Sequence, residues 1–316
     1  MIIGPTGPMK SAPPSTTTTL TPPAPLSWEW TLRTWYDDHR CLLCRTVEQG
    51  LWRVVEWEDR PVLLHLSGSQ GTVEVAYYGR MDQSLLCRRA SRLLNLHWDR
   101  QGFLRLAAAT PLALLARRMR GLTLVGFASR WEGVVACLVS QQLSLSAALS
   151  IRNRLAQTFG QQACVTPQGL PLYTLPPPEE VAEMREEALR AVGLSRPKAR
   201  HLRELARLMA EGEFPSEEEI RHLPRERAVE RLRVLPGLGE WSANYLMVRA
   251  YGHPDGFPAS DAGLLRNLML ALGMEKRPTP AQAEELAAPF AGQRSLLTAL
   301  LWTCRRGEGD LPSPRC

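Results

Sequence analysis

Lysine is almost missing from this 316-residue chain. Of its 38 basic side chains, only Lys10, Lys198 and Lys276 are lysines, so chemistry that needs a primary amine has few candidates. Long apolar runs are missing too. No stretch approaches the roughly 18 residues of a membrane-spanning helix, which argues against membrane contact. The opening MIIGPTGPMKSAPPSTTTTL holds no apolar run of signal-peptide length. Cysteine is sparse and odd in number: Cys41, Cys44, Cys87, Cys137, Cys164, Cys304 and Cys316 are scattered, which suits reduced thiols and not a disulfide scaffold. Cys41 and Cys44 form a C-x-x-C. No second pair follows at zinc spacing and the surroundings do not read as thioredoxin-like, so neither metal nor redox use is expected of them.

What is present describes a globular protein whose basic balance suits a polyanionic partner. The chain is 44% hydrophobic and 22% charged, with a formal net charge of +6 carried almost wholly by arginine. Such a balance suits nucleic acid without proving it.

The chain divides by composition. Residues 1–27 are rich in Pro, Thr, Ser and Gly and offer little to bury, so they read as a disordered tail. Residues 28–106 mix signals. Leu51–Val55, Pro61–Leu66 and the alternating Thr72–Tyr77 read as strands, the last behind the turn set Gly68-Ser69-Gln70-Gly71. Gln83–Leu94 carries Leu86, Ala90 and Leu93 at helical spacing. A small antiparallel α+β unit is expected. Residues 107–316 read as helical throughout, in two subdomains. Glu132–Phe159 is expected as one helix closed by Gly160, with further helices over 179–191, from Ser195 to Met209, 225–234, 240–251, 260–272 and 280–304.

One stretch is chemically specific. Leu235-Pro236-Gly237-Leu238-Gly239 between two helices makes a helix-hairpin-helix at about 225–251. Gly237 and Gly239 can take positive φ and leave no side chain between backbone and ligand. The N–H groups opening the second helix can then hold a phosphate without a charged side chain, while Leu235 and Leu238 anchor the hairpin to the core. A plain glycine-terminated helix turn would give the same five letters. Asp261, 22 residues after Gly239, opens another helix. The free N–H groups there favour an anion, and an ionised, partly buried carboxylate is what a sugar cation needs beside it during N-glycosidic cleavage. A simple helix cap is the other reading of Asp261. Trp241 and Tyr245 lie one helical turn apart and can line a base pocket or the core.

Leu-Pro-Gly-Leu-Gly-Glu-Trp-Ser-Ala-Asn-Tyr, followed by Phe-Pro-Ala-Ser-Asp-Ala-Gly-Leu-Leu-Arg, closely resembles the helix-hairpin-helix DNA glycosylase superfamily, and best its 3-methyladenine DNA glycosylase II (AlkA-like) branch. Leu138 to Ala148, with Gln141-Gln142, is similar to that family's Gln-containing segment. The resemblance runs from about residue 28 to the C-terminus. It implies a small antiparallel-sheet domain followed by helical domains with the active site in the cleft between them. It implies Asp261 as the catalytic carboxylate and Leu235 to Gly239 as the phosphate grip, with a monovalent cation at the hairpin carbonyls of Leu235 and Leu238. It places Gln142 and Leu143 as a wedge filling the hole left by an extruded nucleotide; a helix with a polar stripe is the alternative there.

Bifunctional relatives carry a lysine two residues after the second hairpin glycine; this chain has Trp241, so water is the expected nucleophile. Only Cys304 and Cys316 follow Asp261, too few for the iron–sulfur loop of other relatives. No cofactor is expected beyond that cation. Gln293 stands before Arg294-Ser295, where the closest relatives are read as carrying an aromatic, and this leaves the substrate range open. The expectation is a monomeric, monofunctional glycosylase of base excision repair, acting on alkylated purines in double-stranded DNA, cytoplasmic (at a nucleoid) or nuclear. A related glycosylase for oxidised or deaminated bases and a non-catalytic DNA-binding protein are the rival readings.

Overall fold

The computed structural model describes residues 16–35, 40–47, 50–57, 60–69, 71–78, 82–166 and 168–304. It is α+β, as the composition of the two halves implies. Five antiparallel strands, β1 (Thr16–Leu20), β2 (Cys44–Val47), β3 (Gly50–Trp57), β4 (Arg60–Ser69) and β5 (Thr72–Tyr78), lie in the order β1-β5-β4-β3-β2. Leu51, Leu64, Leu66, Val73 and Val75 point to one face and join the main core, where β-branched and aromatic residues suit a pleated, half-buried surface. Trp52, Val54 and Leu63 face the other way and are covered by Ala163, Cys164 and Leu172 of a small hairpin, β6 (Gln162–Val165) and β7 (Pro171–Tyr173), which the sequence reading missed.

The fold includes Thr16–Leu20, ahead of Trp28, which corrects the expected tail over 16–27; residues 1–15 of that tail lie outside the described residues. Thr16–Leu20 pairs with β5 from Thr16↔Tyr77 to Leu20↔Val73, with Thr18 and Leu20 turned inward. Composition groups these threonines with proline and serine, but a β-branched run with alternate inward positions suits an edge strand. Residues 21–27 are held as well. Arg100 donates to the carbonyls of Ala24 and Pro25, and Ser27 caps the helix Trp28–Arg33.

The helices form two packed groups. The first joins the sheet to Arg130–Ser140, Leu145–Phe159, Arg196–Ala210, Arg225–Arg233 and Glu240–Leu246. The second gathers Arg100–Ala108, Ala113–Arg118, Ala262–Ala271, Pro280–Ala287 and Arg294–Thr303 around Phe103, Phe257 and Phe290. The expected boundary at 106 therefore falls inside a helix, one that packs on the C-terminal helices and not on the sheet. The expected helix Glu132–Phe159 is two helices. The first ends at Ser140, Gln142 sits at φ +58, and Ser144 caps the second by accepting from Ala147 N at 3.2 Å. The spans 179–191, 240–251 and 280–304 are likewise broken: into Pro178–Glu183 and Glu186–Ala191, into Glu240–Leu246 and a π-helical turn Met247–Tyr251, and into Pro280–Ala287, a 3₁₀ turn and Arg294–Thr303. Periodicity sees the shared apolar face and is blind to a break that keeps the faces aligned.

Candidate active site

The two helical groups meet at Asp261. Its Oδ1 accepts from Leu264 N at 2.8 Å, capping the helix Ala262–Ala271, so the cap reading is correct as far as it goes. The carboxylate has two more partners. Trp241 Nε1 donates to Oδ2 at 3.1 Å and Trp302 Nε1 donates to Oδ1 at 3.2 Å. Three N–H donors from three helices thus converge on one half-buried carboxylate, which fixes its direction.

Each letter around the hairpin has a structural task. Trp241 and Tyr245 stack with centroids 5.1 Å apart and 26° between planes, and Tyr245 lies 5.9 Å from the Trp302 ring. Burial pushes the Tyr245 hydroxyl up to about 12, so it stays a neutral phenol. Asn244 accepts from Phe257 N at 3.0 Å and donates to Glu240 O at 3.1 Å, tying the segment that leads to Asp261 back onto the hairpin helix. Ser242 Oγ accepts from Gln141 Nε2 at 3.0 Å. Leu235 and Leu238 are buried, as anchors should be.

The two hairpin glycines differ. Gly237 has φ +71, and a Cβ there would meet the His201 ring at 2.5 Å. Gly239 is extended, at φ −97 and ψ −169, and a Cβ would meet nothing within 4 Å. Both glycines can take positive φ, and only Gly237 does. The value of Gly239 lies in the open space it leaves before the N–H groups of helix Glu240–Leu246.

Gln142 and Leu143 sit on the exposed turn between Arg130–Ser140 and Leu145–Phe159, not in mid-helix. Leu143 is 42% exposed and Gln142 is exposed beside it. The turn is braced from behind. Lys198 Nζ donates to Val139 O and Gln141 O, at 2.9 and 2.6 Å, and Gln141 Nε2 donates to Gly237 O at 2.8 Å. The exposed turn and the hairpin are therefore joined by one side chain.

Sequence reasoning missed the third aromatic. Trp302 comes from the helix Arg294–Thr303, whose near-continuous apolar face gives no hint of which residue turns to the site. Gln293, read as standing in an aromatic clamp, is at the opposite end of that helix, against Gly102. It does not touch the Asp261 cluster, and its departure from the family pattern says nothing about the pocket. Also missed was the cleft wall beside Tyr245, a cavity of about 100 Å³ lined by Trp35, Cys41, Phe127, Arg152 and Arg249. Arg249 donates to Val125 O and Thr34 O, and its guanidinium carbon lies 5.1 Å from the Trp302 centroid. These residues come from far-apart segments, and no spacing could have joined them.

The family model of the HhH-GPD superfamily base excision DNA repair proteins matches residues 135–291, which contain the Gln142–Leu143 turn, the hairpin and Asp261. The chain belongs to that superfamily. Within it, the chain falls on the AlkA-like branch. It is 29% identical over 209 residues to the DNA-3-methyladenine glycosylase of Bacillus subtilis, covering 66% of this chain and 68% of that protein. It is 29% identical over 253 residues to the DNA-3-methyladenine glycosylase 2 of Escherichia coli, covering 78% and 79%. Among solved structures, the 3-methyladenine DNA glycosylase from Archaeoglobus fulgidus superposes with a TM-score of 0.76 at 21% identity, over 90% of this chain and 97% of that one. That likeness shows the fold.

Proposed function

We propose that this protein is a monofunctional DNA glycosylase that hydrolyses the N-glycosidic bond of alkylated purines such as 3-methyladenine in double-stranded DNA. The observation that carries the reading is the Asp261 carboxylate, held by two indole N–H groups at the mouth of an aromatic cleft. The hairpin N–H groups grip a phosphate of the damaged strand. The nucleotide is extruded, and Gln142 and Leu143 fill the gap. The purine enters between aromatic faces, which suits an electron-poor alkylated ring. As the bond to the sugar lengthens, positive charge grows on the deoxyribose, and Asp261 stabilises it electrostatically. Water then adds to the sugar. Trp241 stands where an attacking amine would be, and Lys198 is committed to two carbonyls. The hairpin also suits a monovalent cation by donor type: Leu235 O accepts from Leu238 N at 3.1 Å and keeps a second lone pair. Such a cation beside Leu235 and Leu238 would add positive charge near the bound phosphate. The protein is expected to act as a monomer.

Release of free base from a duplex carrying one alkylated purine tests the reading. Asp261→Asn should lower the single-turnover rate by about 10²–10³ or more while duplex binding survives; near-normal turnover would remove the carboxylate's role. Borohydride present during the reaction should trap no covalent adduct, and a robust adduct would overturn the monofunctional assignment. A second reading rests on Arg152 in the cleft wall, whose Nε has no hydrogen-bond partner and would favour a base with an extra carbonyl oxygen, such as an oxidised purine. A panel of single-lesion duplexes separates the two.

A further inference from the structure

Cys41 and Cys44 do not behave as the ordinary thiols that their sequence context suggests. Their Sγ atoms are 3.3 Å apart, at 5% and 1% residue exposure. The bridge between them is clamped from two sides. Leu42 N donates to Asn153 Oδ1 at 3.1 Å, Asn153 Nδ2 donates to Arg40 O at 2.6 Å, and Tyr173 N donates to Leu42 O at 2.7 Å. Helix Leu145–Phe159 and β7 therefore hold the C-x-x-C in the geometry that brings the sulfurs together. Beneath it lies a buried ionic group in which Glu132 pairs with both Arg53 and Arg152. Arg53 is fully buried, and its Nε and Nη1 have no hydrogen-bond partner. On its other side Cys41 opens on the cleft that holds Tyr245, Phe127 and Arg249.

We infer that Cys41 and Cys44 form a dithiol site that reacts with hydroperoxides, set in the wall of the base cleft. The two sulfurs have different parts. The hydrogen bond from Cys44, together with the charge of Arg152, draws the Cys41 pKa down. Burial drives that of Cys44 well above its ordinary value. Cys41 is thus the thiolate and Cys44 the reserve of the second thiol. Cys137 and Cys164, by contrast, are pushed up to about 12 by burial and stay protonated. In the first step the Cys41 sulfur attacks the peroxide, an S–O bond forms, the O–O bond breaks and hydroxide leaves. Cys41 is then a sulfenic acid. In the second step the Cys44 sulfur attacks that sulfur, an S–S bond forms, the S–O bond breaks and the departing hydroxide takes up the Cys44 proton as water. Two thiols have given two electrons to one peroxide. The cleft has lost a negative sulfur beside Arg152, and its net charge has become more positive. A cationic alkylated purine is then held less well, which rests on the function proposed above.

The test is peptide mapping of the native full-length chain after brief hydrogen peroxide treatment. The expected product is a Cys41–Cys44 disulfide, lighter by two hydrogens, formed before Cys137 or Cys164 is modified and reversed by dithiothreitol. Cys44→Ser should leave a sulfenic acid on Cys41 that dimedone captures, and Cys41→Ser should give neither product. An unmodified Cys41 where other cysteines have reacted would overturn the proposal, and wild-type mapping alone suffices if a variant fails to fold. Base release from an alkylated duplex should slow severalfold after oxidation, recover with dithiothreitol, and be peroxide-insensitive in Cys41→Ser. A disulfide with an unchanged release rate would sever the site from the cleft. No base release by the reduced enzyme on any lesion would refute the glycosylase reading, while the mapping result stood on its own.

Discussion

The active-site cleft has two walls of different origin. One is nearly contiguous: residues 235–261 supply the hairpin, Trp241, Tyr245 and Asp261, in a stretch where each spacing reflects a helical turn or a cap. The other is assembled from Trp35, Cys41, Phe127, Arg152 and Trp302, drawn from the sheet domain, a loop and two helices. The first wall puts the Asp261 carboxylate in place. The second decides what can stand beside it. Chemistry that depends on one local geometry can be written into a short motif, whereas the shape and charge of a pocket are spread over the whole fold.

The comparison is sharpest at Asp261, where one indole donor comes from each wall. Trp241→Phe and Trp302→Phe each keep an aromatic ring and remove an N–H. A hydrogen bond to a charged group contributes about 1.5–3 kcal/mol, so each should cost about tenfold or more in single-turnover rate. The double variant should show coupling, since both donors act on one carboxylate. A loss confined to Trp241→Phe would mean that the second wall leaves the chemistry alone.

Next in size is the wedge. Extruding a nucleotide costs a few kcal/mol, and part of that is offset when a side chain fills the gap. Replacing Gln142 and Leu143 with Ala should cost more on a paired lesion than on single-stranded lesion DNA, by about tenfold. Equal losses on the two substrates would remove the wedge role.

The smallest effects divide the contiguous wall itself. Gly237→Ala forces a side chain into φ +71 against His201 and should cost about 1–3 kcal/mol of stability, read by chemical denaturation. Gly239→Ala has open space and should leave stability within about 1 kcal/mol. It should weaken binding to damaged and undamaged duplex alike, because phosphate contacts carry no sequence information. A loss for damaged DNA alone would place Gly239 in the base pocket.

The same division explains what could be read beforehand. The three central strands, the helix Gln83–Leu93 and the hairpin announce themselves by alternation, helical spacing and glycine placement. The edge strand Thr16–Leu20 did not, because its threonines resemble a tail until β5 offers them a partner. The break at Gln141–Ser144 was hidden by aligned apolar faces. Trp302 was hidden for the opposite reason: its helix is apolar almost everywhere, so one functional indole has no contrast against its neighbours. Gln293 stands out in the sequence because it departs from the family's aromatic, yet it lies beside Gly102, at the other end of its helix from Trp302, where it has no part in the pocket.

Gln141 has a consequence for how the protein would travel on DNA. Its amide joins the exposed turn to the hairpin through Gly237 O and Ser242 Oγ, and Lys198 fastens the same turn from behind. On the proposed function, the distance from the phosphate at the hairpin to the nucleotide at the turn would be a constant of the fold. A glycosylase built this way would sample the strand at one fixed offset from the phosphate it holds. Changing which nucleotide it samples would require rebuilding the brace, whereas changing which lesion it accepts requires only new side chains across the cleft.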